Sequence, residues 1–308
     1  MQIGIFITVI IVIALILIAS KKVCDMAIKA DTAKKYSNFI FSAEPQNEYL
    51  EETEKNIKWL EENTEETQII SKDGLKLVGY ERKISPQTKN WVIAVHGYTG
   101  RGSDMVQYIK QFEKLGFNSL IIDLRSHGKS EGKYIGMGWL DHYDLELWIE
   151  KIIQENKNCK IILYGISMGA ATVTMATGDT LPGNVKLCIA DCGYSSVWDE
   201  FKVHLKKLFH IPAFPILHIA NIMSKLIVGY SFKEASSIEQ VKKSKIPTLF
   251  IHGCQDKFVP YEMLDKIYNN AGCKKEKLEI EGAKHAESSN IDAEKYWKSI
   301  RKFVNENI

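Results

Sequence analysis

The stretch that decides the fold is "KIILYGISMGAA", Lys160–Ala171. An apolar run ends at Gly165, a serine stands two residues later, Gly169 follows, and the chain turns at once into the small-residue segment "MGAATVTMATG". An unalternating run of this length suits a strand buried on both faces of a parallel sheet, and the small residues after it read as a helix. A hydroxyl that is to attack a carbonyl carbon must stand clear of its own backbone, and a sharp strand-to-helix turn projects it that way. Glycines two before and two after the serine relieve the crowding such a turn creates. Ser167 is therefore the candidate nucleophile.

Outward from this turn the same rhythm repeats. "WVIAVHG", "FNSLIIDLR", "VKLCIADCG", "IPTLFIHG" and "KLEIEG" are short apolar runs, and "LKLVGYERK" reads as an outer antiparallel strand. Amphipathic stretches lie between them. Met105, Ile109, Phe112 and Leu115 form one stripe; Leu145, Trp148, Ile149, Ile152 and Ile153 form another behind a capping Asp141; Tyr296, Ile300, Phe303 and Val304 form the last. This alternation predicts a doubly wound, mostly parallel α/β sheet with right-handed crossovers over residues 68–308. Residues 194–236 break the rhythm, being apolar, helical in character and interrupted by Pro212 and Pro215. They are expected to fold as a helical cap over the carboxyl edge of the sheet, where open α/β sheets bind ligands. Within the cap, Phe209, Ile211, Phe214, Ile216, Leu217 and Ile219 either line an acyl-binding cleft or pack against the sheet.

A serine placed in this way needs a base and a carboxylate from later strand ends. Asp256 lies four residues past His252, where one apolar run ends, and His285 follows the final run in "LEIEGAKHAES". The order Ser, Asp, His is the one expected of a strand-turn-helix nucleophile of this type. His285 would act as base toward Ser167 and then as acid toward the leaving group, with Asp256 fixing its tautomer. Asp191, at the end of "LCIAD", is the rival carboxylate. Acyl transfer also needs donors for the developing oxyanion. The backbone N–H of Met168, at the helix start, is one, and that of Tyr98, in "VHGYTG", is the better candidate for the other. His96 is expected to brace that loop.

These motifs, "HGYTG", "DLRSHGKSEG", "GISMGA", "HGCQDKFVP" and "GAKHAES", resemble those of the α/β-hydrolase superfamily of serine hydrolases, in particular bacterial membrane-anchored members of the serine aminopeptidase and lysophospholipase-like group. The resemblance implies Ser167 as nucleophile, Asp256 as acid, His285 as base, and the Tyr98 and Met168 amides as oxyanion donors. Within it, Asp123, Arg125 and His127 are expected to lock a loop beside the site.

The first twenty residues, "MQIGIFITVIIVIALILIAS", carry no charge, and a helix of that length rises about 30 Å, the thickness of a bilayer's hydrocarbon core. Residues 1–20 are expected to be a transmembrane helix and 21–67 a juxtamembrane stalk, with Leu50, Ile57 and Leu60 on one helical face. Lys21, Lys22, Lys29, Lys34 and Lys35 follow the apolar run and favour the cytoplasmic side for the catalytic domain, with the extracytoplasmic side as the alternative. The six cysteines show no CxxC and no framework spacing, so free thiols are expected.

The 308 residues are 45% hydrophobic and 25% charged, a globular composition, and a net charge of +2 without a basic stripe argues against nucleic acid as a partner. There is no GxGxxG after a strand, no P-loop and no HExxH, so no dinucleotide, nucleotide or metal cofactor is expected. The functional expectation is a membrane-anchored serine hydrolase acting on a small acyl substrate, lipid-like in character, through its carboxylic ester or thioester. A peptidase with the same triad, and a catalytically idle interaction module, are the alternatives.

Overall fold

Eight strands form one sheet in the order β1-β2-β4-β3-β5-β6-β7-β8. They are β1 (Glu65–Ile70), β2 (Lys76–Arg82), β3 (Asn90–Val95), β4 (Asn118–Ile122), β5 (Lys160–Ile166), β6 (Val185–Asp191), β7 (Thr248–Gly253) and β8 (Lys275–Ile280). From β4 through β8 every pairing is parallel, whereas β2 pairs antiparallel with both β1 and β4. This computed structural model describes residues 1–40 and 46–308, with side chains for 1–36 and 50–308. The doubly wound, mostly parallel α/β sheet read from the sequence is the fold. One strand differs: "LKLVGYERK" is not the outer strand, because β1 covers its free edge. β1 is polar text, with Glu65, Glu66 and Gln68 among its residues, because an edge strand has a solvated face.

The helices are α1 (Gln2–Ile28), α2 (Ala30–Ile40), α3 (Gln46–Asn63), α4 (Val106–Lys114), α5 (Trp139–Glu155), α6 (Met168–Ala176), α7 (Val197–Phe209), α8 (Ile216–Val228), α9 (Ser237–Val241), α10 (Glu262–Asn270), α11 (Ser288–Ile291) and α12 (Ala293–Asn307). They cover both faces of the sheet. α5, α6 and α10 bury Trp148, Val173 and Leu264 against the face that carries Trp91, Ile93 and Val95. α3, α4 and α12 bury Leu60, Phe112 and Phe303 against the face that carries Val92 and Ala94. Period-2 alternation along β3 thus supplies both cores at once. The cap consists of α7 and α8, and a bridge between Ser196 and Ser236 closes its base.

The segment before β1 departs from the expected stalk. α1 runs to Ile28, and its last turns bury Ser20, Cys24, Ala27 and Ile28 in the domain, where α1 packs along α8. A bridge from Lys29 to Tyr134 fixes the exit from α1. α3 lies against α4 with Leu60 buried, while Leu50 is exposed. Residues 41–45 of that stretch lie outside the described residues. α1 is a helix long and apolar enough to cross a membrane by length and composition.

Candidate active site

β5 ends at Ile166, and Ser167 takes φ +56° and ψ −117°, a conformation that strains a residue with a side chain. Two backbone bonds hold it there: Ser167 N–H donates to Asp191 O at 2.8 Å, and Ala171 N–H donates to Ser167 O at 3.0 Å. The flanking glycines are required by contact. A Cβ on Gly165 would stand 2.2 Å from Gly169 O, and one on Gly169 would stand 2.0 Å from Val95 O. The turn therefore presses α6 onto the end of β3, and neither obstacle is a side chain that can swing away. Gly169→Ala is expected to cost about 3 kcal/mol or more. Thermal unfolding should show a fall in Tm on the order of 8 °C.

The three expected catalytic side chains meet. His285 Nε2 lies 2.9 Å from Ser167 Oγ, and His285 Nδ1 lies 2.7 Å from Asp256 Oδ2. Asp256 comes from the turn after β7 and is fully enclosed. Its Oδ1 accepts from the N–H groups of Phe258 and Val259 at 2.9 and 3.0 Å. Its Oδ2 also faces His252 Nε2 at 3.2 Å. Burial alone would raise its pKa, but the hydrogen bonds from His252 and His285 outweigh that and hold it at about 2. An ionised Asp256 leaves His285 with its proton on Nδ1 and a lone pair toward Ser167. This is the arrangement that can take the serine proton.

Asp191 does not reach His285. Its carboxylate accepts from Tyr296 Oη at 2.9 Å and from Ser288 Oγ at 3.4 Å, and complete burial raises its pKa. Its backbone carbonyl, not its side chain, serves the site.

Of the two expected oxyanion donors, Met168 stands directly after the serine and Tyr98 in the loop after β3. Met168 is the first residue of α6, where helix amides lack intrahelical partners. The loop after β3 lies against the serine: a Cβ on Gly97 would be 3.8 Å from Ser167 Oγ. Two buried histidines brace that loop. His96 Nε2 accepts from Leu124 N–H at 3.0 Å and its Nδ1–H donates to Gly97 O at 2.8 Å. His127 Nε2 accepts from Thr99 N–H at 3.1 Å and its Nδ1–H donates to Arg125 O at 2.8 Å. Burial lowers their pKa values to about 4 and about 3, so both stay neutral. Asp123 ties the two loops, accepting from Gly102 N–H at 2.7 Å and Lys129 N–H at 2.9 Å. Arg125 is clamped between Asp144 and Asp73.

An apolar cavity opens over Ser167, and it is not the cleft read from the cap sequence. Of the residues named for that cleft, Phe209 lines the cavity; Leu217 is in the core and Phe214 points to solvent. Phe201 and Leu205, on the inner face of α7, line it instead, with Phe258 from the Asp256 turn. Glu200 carries no such signal in the sequence. It is buried at the cavity, Oε1 accepts from His204 Nε2 at 2.7 Å, and Oε2 has no partner among the described residues. Ligand atoms of Cys192, Asp256 and His285 lie within 4.8 Å of one another. They make a poor metal site, since burial pushes the Cys192 thiol well up and Asp256 already accepts from Phe258, Val259 and His285.

A parallel sheet with a strained serine elbow after β5, an acid after β7 and a histidine after β8 defines one class, and the chain belongs to the α/β-hydrolase superfamily. The family model described as serine aminopeptidase, S33, matches residues 86–238. The chain is 29% identical over 238 residues to the uncharacterized protein YqkD of Bacillus subtilis, covering 77% of each chain. It is 26% identical over 190 residues to the lysophosphatidylserine lipase ABHD12 of Danio rerio, covering 58% of this chain and 47% of that one. The esterase Pf2001 of Pyrococcus furiosus shares the fold at a TM-score of 0.64 and 22% identity, over 80% of this chain and 93% of that one. The esterase and lipase among these similar proteins support a hydrolase.

Proposed function

We propose that the protein is a serine hydrolase that cleaves a carboxylic ester or thioester through an acyl-enzyme on Ser167, with α1 holding it at a membrane and the basic residues after the apolar run keeping the domain on the cytoplasmic side. The observation that carries this reading is the continuous relay from Ser167 Oγ through His285 to Asp256 at the floor of an apolar cavity. Ser167 Oγ attacks the acyl carbon while its proton passes to His285 Nε2. The Tyr98 and Met168 amides receive the oxyanion. As the tetrahedral intermediate collapses, the bond to the leaving group breaks and that group takes the proton from His285. Water then attacks the acyl-enzyme by the same route in reverse, and Ser167 regains its proton.

A peptidase reading has one observation of its own, the inward-facing Glu200, since a free Oε2 beside the cavity suits a substrate amine. The cavity's apolar walls favour the acyl chain instead. The test compares p-nitrophenyl esters of increasing chain length with aminoacyl-naphthylamides. The ester reading expects kcat/KM to rise with chain length, by up to about fourfold per buried methylene at ~0.8 kcal/mol each. Faster turnover of the aminoacyl amides would transfer the assignment to the peptidase.

A further inference from the structure

The cavity over Ser167 has one wall that belongs to neither the sheet nor the cap. Val23, Met26 and Ala27, in the last two turns of α1, line it beside Tyr98 and the α7 side chains. That end of α1 is firmly tied. Tyr98 Oη donates to the carbonyl oxygens of Met26 and Ala27 at 3.2 and 3.0 Å, acceptors that a helix end leaves unpaired. Ile135 N–H donates to Ile28 O at 2.7 Å, and Ala30 N–H donates to Lys133 O at 3.0 Å. Small residues on the buried stripe of α1, Ser20, Cys24 and Ala27, let it approach α8, where Ala220 and Ser224 are also buried. Val23 and Met26 stand on the flank of this contact, half-buried, facing the cavity.

Toward the N-terminus of the same helix, large apolar side chains are exposed from Ile3 to Ile18. Met26 lies eight positions after Ile18, about 12 Å along the helix. The same helix therefore carries the exposed apolar length at one end and, past Lys21 and Lys22, the cavity wall at the other. The residue that carries one candidate oxyanion amide, Tyr98, is the one whose ring and hydroxyl meet that wall.

We infer that the last two turns of α1 form the wall that receives the substrate's acyl chain and sets the length accepted, so that the helix suited to hold the protein in a bilayer also selects an ester or thioester with a long apolar acyl chain, the kind a bilayer dissolves. The inference rests on the serine-hydrolase reading of the same site.

The test uses the full chain in detergent micelles and compares the rates at which ethyl and dodecyl fluorophosphonates label Ser167. In that reaction Oγ bonds to phosphorus, fluoride leaves, and the serine proton passes to His285. Met26→Trp, which carries an indole into the cavity, is expected to lower the dodecyl-to-ethyl rate ratio at least tenfold, and Met26→Ala to raise it. Ile11→Trp, on the exposed length of α1, is expected to keep the wild-type ratio. A ratio that neither Met26 substitution moves, or that Ile11→Trp moves equally, overturns the inference. If Met26→Trp fails to fold by circular dichroism, Met26→Ala decides alone. A protein that labels with the expected ratios yet cleaves no ester would support the wall and overturn the ester assignment. Absence of any label on Ser167 would overturn the serine reading and the inference with it.

Discussion

Ser167→Ala is expected to lower turnover about a millionfold and to abolish fluorophosphonate labelling, with the fold intact. His285 cannot substitute for the missing oxygen, because its Nε2 is directed at the position Oγ occupies and its Nδ1 is committed to Asp256. What would remain is the small acceleration that oxyanion donors and substrate positioning give to attack by water. A second substitution separates chemistry from strain. Ser167 is held at φ +56°, a conformation that glycine adopts freely and that costs a residue with a Cβ about 1–3 kcal/mol. Ser167→Gly should be equally inactive but more stable than Ser167→Ala by about 1 kcal/mol in denaturant unfolding. Retention of the label by Ser167→Ala would remove the nucleophile assignment. Equal stability of the two variants would show that the turn stores no strain.

The elbow and its partners were legible in the sequence because buried parallel strands are unbroken apolar runs, and each run ends where a functional side chain begins. Strand ends in an α/β sheet fall along one edge, so chain order was enough to bring Ser167, Asp256 and His285 together. The features that escaped depend on faces rather than on runs. Lysines begin at Lys21 and mark an apparent boundary there, yet a helix continues through charge if its other face is buried. Ser20, Cys24, Ala27 and Ile28 are that face, while Lys21 and Lys22 are exposed. The cap is basic in sum, which concealed the single carboxylate, Glu200, that turns inward. Apolar density is highest around Pro212 and Pro215, but the cavity is lined from the inner face of α7. β1 was invisible for a related reason, since an edge strand has no need of an apolar run. His252 stands four residues before Asp256 at a strand end, but its place beside that carboxylate, with Nε2 bonded to Val259 O, appears only when the turn is folded.

Asp256→Asn is expected to lower kcat about ten-thousandfold. The Phe258 and Val259 amides donate to one side of the side chain, so an asparagine must keep its oxygen there and turn its NH2 toward His285. His285 Nδ1 then becomes an acceptor and its proton moves to Nε2, the atom that has to receive the proton of Ser167. Asp191→Asn leaves this relay untouched, because Asp191 is held by Tyr296 and Ser288, and it should cost less than tenfold. The two substitutions should also separate in acid. The folded pKa of Asp256 is about 2, below its unfolded value of about 3.9, so its ionisation stabilises the fold above pH ~4, and this is lost as pH falls through about 2. The stability of the wild type relative to Asp256→Asn should therefore fall by about 2 kcal/mol between pH 5 and pH 2 in denaturant unfolding. Burial raises the pKa of Asp191, so its charge opposes folding as pH rises, and the difference between the wild type and Asp191→Asn should run in the opposite direction. If Asp191→Asn is instead the more damaging change to turnover, the acid of the relay has been assigned to the wrong strand end.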